Sequence, residues 1–116
     1  MFNYSTFNDG KLEYISVGTI SELNDGGRLF IEIDDKSIVI IKIGDKYYAI
    51  ADICSHDDGP VGEGTLEGYE IICPRHGARF DIRSGKVLAL PAFVDIPAYA
   101  VRLVGDQIEI GIPIEE

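Results

Sequence analysis

Two short runs hold every cysteine and every histidine of the chain: Cys54-Ser55-His56 and Cys73-Pro74-Arg75-His76. Thiolate and imidazole are the donors that bind zinc and iron-sulfur centres, and the close spacing within each run lets one loop turn aim two side chains at a common point. Two such loops can grip one centre. A lone cysteine is by default a small buried apolar residue and a lone histidine a solvent-facing one. The repeated pairing of the two types argues for ligation instead, with zinc and iron-sulfur both open at this point. Cys54 and His56 as nucleophile and base would lack a third orienting group and an oxyanion site.

The residues around the pairs are those of tight loops. Gly59, Pro60, Gly62 and Gly64 follow the first, and Pro74 and Gly77 sit inside and after the second. Glycine admits positive φ and proline restricts the chain, so these loops are expected to let backbone amides approach an anionic sulfur core. Asp57-Asp58, beside His56, reads as loop acidity facing solvent rather than a general-base pair or a hard-metal site.

Strands must position these loops. Apolar, β-branched runs at Leu29–Ile33, Ile38–Ile43 and Tyr47–Ile50 are separated by Asp34-Asp35-Lys36 and Gly44-Asp45-Lys46, both of hairpin-turn composition. Ile38-Val39-Ile40-Ile41 lacks alternation, which predicts a strand buried on both faces. Tyr99–Val104 and Gln107–Ile110 flank Gly105-Asp106, and Ile108, Ile110 and Ile112 alternate with Glu109 and Gly111, a second hairpin with one face in the core. Between the strand-rich ends, Ala51 to Ala92 carries the two donor pairs and reads as a loop-rich insertion on a β base. Within it Tyr69–Ile72 is a short strand, and Arg83-Ser84-Gly85-Lys86 is the turn after Phe80-Asp81-Ile82. Tyr47 and Tyr48 read as strand and core residues rather than a redox relay.

A chain of 116 residues, 46% of them hydrophobic, is the size of one domain with one core. The expected layout is a single all-β domain over 1–116, with a β base at about 12–50 and 93–113 and a cluster-binding subdomain at about 51–92. No apolar stretch is long enough to cross a bilayer and Met1–Gly10 is polar, so a soluble, cytoplasmic protein is expected. That compartment disfavours a disulfide between the two cysteines. Net charge is −10, and the Lys and Arg residues form no basic stripe, which disfavours nucleic acid and anionic lipid and leaves a basic protein surface as the partner.

The two motifs together, Cys-x-His and Cys-x-x-His-Gly, resemble those of the Rieske-type 2Fe-2S ferredoxins. The likeness extends over roughly residues 12 to 112, through Phe80-Asp81, Ser84-Gly85-Lys86-Val87 and Pro91-Ala92. It implies an antiparallel β-sandwich base with an inserted cluster-binding subdomain and one 2Fe-2S cluster per chain. Cys54 and Cys73 would bind one iron, His56 and His76 the other, and Pro91 would shield the cluster. Two thiolates with two neutral imidazoles leave the oxidised site neutral where four thiolates leave a dianion, so this ligand set accepts an electron more readily than plant-type ferredoxins do.

Respiratory Rieske proteins carry an extra cysteine in each loop, forming a disulfide, and hydroxyl donors after the second histidine. This chain has no spare cysteine, and Ala78 and Phe80 stand where those donors would be, which implies a low-potential centre. Asp57 and Asp58 add negative charge that Arg75 and Arg79 are placed to offset. Aromatic-ring oxygenases hold a further mononuclear iron through two histidines and a carboxylate, and here both histidines are used. The resemblance therefore implies an electron-transfer component without catalysis of its own, passing electrons from a reductase to a terminal oxygenase or similar acceptor. The alternatives are a Rieske-like small subunit of nitrite reductase and a zinc-stabilised interaction module.

Overall fold

β-Branched residues crowd the predicted strands, and two-residue turns fold them back on one another. The computed structural model describes residues 12–113; the polar terminus Met1–Gly10 lies outside them. β1 (Leu12–Thr19) leads through a short 3-10 turn at Ile20–Glu22 into the antiparallel meander of β2 (Arg28–Ile33), β3 (Lys36–Ile43) and β4 (Lys46–Ala51). Asp34 and Asp35 both take positive φ, 49° and 71°, as a type I′ hairpin requires, and aspartate is among the side chains that tolerate it. β9 (Ala98–Val104) and β10 (Gln107–Pro113) form the expected second hairpin about Gly105-Asp106. Its second strand runs beyond Ile110 because β1 pairs along its far side.

These strands make one six-stranded sheet in the order β1-β10-β9-β4-β3-β2. The sheet folds over on itself. β1 and β2 are its opposite edges, yet a Cβ built on Gly18 of β1 would lie 2.9 Å from Leu29 Cδ2 of β2. Ile38, Ile40, Ala49, Ala51, Tyr99, Ile108, Ile110 and Ile112 fill the space between the two halves. This is the antiparallel sandwich base expected from the sequence.

Between β4 and β9 the chain builds a second sheet, β5 (Thr65–Glu67), β6 (Glu70–Ile72), β7 (Arg79–Asp81) and β8 (Val87–Ala89), all antiparallel. Its core joins Ile71, Phe80 and Ile82 to Val39, Ile41 and Ile50 of the base. The missing alternation in β3 is thereby explained: Ile38 and Ile40 face the interior of the sandwich, Val39 and Ile41 face the second sheet, and all four are fully buried. Tyr48 stands at this joint, edge-on to Tyr69 with ring centroids 5.8 Å apart, while the Arg83 guanidinium lies 4.2 Å over the Tyr69 ring. Among the described residues no helix is long and apolar enough to cross a membrane.

Candidate metal centre

Each donor pair sits on a loop built to one backbone pattern. The Cys54 amide donates to Gly59 O at 2.7 Å and the Cys73 amide to Ala78 O at 2.7 Å, so each cysteine closes its loop with the carbonyl five residues on. In both loops the amide four residues on returns to the cysteine carbonyl, Asp58 N to Cys54 O at 2.7 Å and Gly77 N to Cys73 O at 3.1 Å. The residue making that return bond has positive φ in each, 63° at Asp58 and 81° at Gly77. Two equivalent loops thus flank the open end of the β5–β6 hairpin, where Thr65 pairs with Ile72.

The sequence-predicted donors come together, sorted by type. Cys54 and Cys73 are buried, 0% and 2% exposed, in the core shared with Ala78, Phe80 and Ala92. His56 and His76 are exposed, with ring centroids 5.2 Å apart and ring planes at 79°. The two sulfurs lie within 4.8 Å of each other, as do a ring nitrogen of each histidine, but among the described residues no set of three donors within that distance mixes cysteine with histidine. One tetrahedral zinc would hold every sulfur-nitrogen pair within about 4.4 Å, two bond lengths end to end. Two separate pairs suit a centre with one sulfur-ligated and one nitrogen-ligated metal.

The chemistry of the donors fits an iron-sulfur group. Burial pushes the Cys54 thiol above its ordinary value, opposed by the amides of His56 and Asp57. A buried pair of thiols needs adjacent cationic charge to be held as thiolates, which iron bound there would supply. Asp57 lies within 4.8 Å of both donor pairs, but both its carboxylate oxygens are engaged: Oδ2 accepts from Arg75 Nε at 2.6 Å, and Oδ1 from Arg75 Nη2 at 2.9 Å and from the Gly59 amide at 3.0 Å. The Arg75 guanidinium, with the Gly59 amide behind it, holds the Asp57 carboxyl well below the usual carboxylate range. It is thus not free to complete a two-histidine, one-carboxylate iron site with His56 and His76.

Three expectations need correction. Asp57 does not simply meet solvent; it is the anchor for Arg75. Arg79 does not offset charge at this loop, since its Nη1 donates to Glu67 at 2.9 Å and Glu70 at 3.1 Å across the second sheet. Gly62 and Gly64 serve the joint with the base. The Val61 and Gly62 amides donate to Asp52 Oδ1, the Gly62 and Gly64 carbonyls accept from Arg28 Nη1, and a Cβ on Gly64 would fall 1.9 Å from Ile72 O.

Arg28 and Asp52, which steady the chain after the first loop, bind backbone atoms far along the sequence and leave no sequence signal. Ser55 donates its hydroxyl to Val94 O, tying residues 90–95 to the first loop, and Ala92 from that segment enters the core that contains both cysteines. On its outer side Leu90, Phe93 and Val94 are exposed, Phe93 by 80%.

Comparison with known proteins decides the family. The Rieske [2Fe-2S] domain model matches residues 13–100. The chain belongs to this family. Among relatives of this Rieske chain, the ferredoxin component of biphenyl 2,3-dioxygenase from Rhodococcus jostii (strain RHA1) is 37% identical over 87 residues, 75% of this chain and 81% of that protein. The ferredoxin component of the naphthalene 1,2-dioxygenase system from Pseudomonas aeruginosa is 29% identical over 100 residues, 86% of this chain and 96% of that protein. Among solved structures, the ferredoxin of carbazole 1,9a-dioxygenase from Nocardioides aromaticivorans IC177 superposes with a TM-score of 0.79 at 32% identity, over 84% of this chain and 95% of that one. As a Rieske protein the chain carries one 2Fe-2S cluster.

Proposed function

We propose that this Rieske chain is the ferredoxin component of an oxygenase system, a cytoplasmic one-electron carrier between a reductase and a terminal oxygenase, without a catalytic site of its own. Residues 1–116 act as one domain, Cys54 and Cys73 hold one iron of the cluster, and His56 and His76 hold the other. The observation that carries this reading is the sorting of donors, buried sulfurs beneath and exposed imidazoles above. A 2Fe-2S cluster with this ligand set, when bound, accepts and returns a single electron. The chain's own part is to keep water from the thiolates, present the imidazole edges to a partner and hold the loops still while charge changes.

Potential is set by what surrounds the sulfurs. Ala78 and Phe80 are fully buried in the core that contains both cysteines and carry no hydroxyl, so their side chains give the reduced centre no hydrogen bond. The expected midpoint lies in the lower part of the Rieske span of about −150 to +300 mV. A redox titration checks this; a midpoint near the top of that span would defeat it. Ala78→Ser and Phe80→Tyr are expected to raise it.

Docking is proposed at the tip. His56 and His76 are exposed there, and the segment tied down by Ser55 adds Leu90, Phe93 and Val94, an apolar patch of the kind that interfaces cover. The net charge of −10 steers the chain toward basic partners. Phe93→Ser is expected to raise the KM of the acceptor reaction for the ferredoxin about tenfold, a typical loss for an aromatic anchor, with the midpoint unchanged. Electron-transfer rates are expected to fall as ionic strength rises. Rates flat with salt would remove the steering, and an unaltered KM would remove Phe93 from the interface.

A further inference from the structure

The loops that carry the four donors must be held to one another, and the chain's two cysteines are both at the centre, so no disulfide can do it. Arg75 does. Its planar fork reaches from the second loop to the first through three nitrogens: Nε and Nη2 to the two oxygens of Asp57, and Nη1 to Pro60 O at 2.8 Å. The guanidinium lies flat on Gly59, where a Cβ would meet Arg75 Cζ at 2.8 Å. Arg75 directly precedes His76 and Asp57 directly follows His56, so any shift of the pair moves both histidines.

We propose that Arg75 and Asp57 form a charge-balanced clasp that locks the two ligand loops together and fixes the reduction potential by the cancellation of its two charges. The inference rests on the reading of Cys54, His56, Cys73 and His76 as cluster ligands. An Asp57 oxygen lies within 4.8 Å of both sulfurs and of a ring nitrogen of each histidine, so an uncompensated charge here acts on the centre at short range. Reduction adds one negative charge. A lone Asp57 carboxylate opposes that and a lone Arg75 cation favours it, while the intact pair does little either way. These are positioning residues; neither donates to a metal.

The test uses the cluster-containing protein and two readouts, the midpoint potential and the rate of cluster loss to an iron chelator. Arg75→Gln is expected to disfavour reduction about tenfold, ~59 mV for one electron, and Asp57→Asn to favour it by a similar factor. The double variant returns toward the parent midpoint. All three are expected to lose the cluster about tenfold faster, the scale of losing a partner that orients metal ligands. Arg75→Lys keeps the charge but not the fork, so its midpoint stays near the parent's while its cluster is lost faster.

Single variants that shift the midpoint in the same direction, a double variant that matches either single, or variants that keep the cluster as long as the parent would each overturn the clasp. If Arg75→Gln cannot be isolated with its cluster, Asp57→Asn and Arg75→Lys carry the same decision. A parent protein without iron and sulfide would be a different failure, that of the cluster reading itself.

Discussion

Serine in place of Cys54 or Cys73 is expected to leave a folded chain that binds about a tenth or less of the parent's iron and loses its red-brown colour. The substitution changes one atom in a buried pocket, so the fold has little reason to change. The proposed ligand set, however, would lose a thiolate whose negative charge and softness such a centre requires, and metal binding depends steeply on both. Asp58→Asn is the control. It alters the same loop, keeps a side chain that tolerates positive φ, and removes a carboxylate that makes no ion pair among the described residues. Its iron content is expected to match the parent's. Iron retained in full by both serine variants would remove the cysteines from the ligand set.

The second large effect is expected at a side chain that offers no donor to a metal, Phe80. This ring is fully buried at the centre of the second sheet, opposite Ile71 on β6 and Val87 on β8, in the core that also contains both cysteines. Phe80→Ala removes its transfer energy and leaves a cavity in the core that also contains both cysteines, at a cost of about 3–5 kcal/mol. Against a domain stability of about 5–15 kcal/mol, that moves the urea midpoint sharply and leaves a large fraction unfolded under mild conditions. Phe80→Leu keeps most of the volume and is expected to cost less than about half as much. Equal losses for the two would mean that packing at this position is not what supports the loops.

What the sequence revealed, and what it hid, divides along physical lines. Signals carried by neighbouring residues survive in one dimension. The β2–β3–β4 meander was visible because its turns are two residues long and rich in Asp and Gly. The burial of both faces of β3 was visible because four consecutive aliphatic residues leave no polar side. The donor pairs were visible because each lies within one loop. By contrast β1 shows no clean alternation, its residues being half-buried nearly throughout, and β5 and β8, three residues each, lack the Ile71-Ile72 pair that marks β6 at the same length. Contacts that close over long separations were hidden altogether. Arg28 reaches Gly62 and Gly64, Ser55 reaches Val94, and Arg75 reaches Asp57, eighteen positions away. An acidic pair beside a ligand looks like ordinary loop acidity until the fold brings an arginine to it.

Iron and acid-labile sulfide measured on anaerobically isolated protein from an iron-replete host, with a spectrum of the reduced form, test the assignment most directly. Two irons and two sulfides per chain are expected, as the [2Fe-2S] family requires, with a red-brown oxidised form and a Rieske-type paramagnetic signal on adding one electron. A colourless protein with one zinc and no sulfide, silent on reduction, would contradict it.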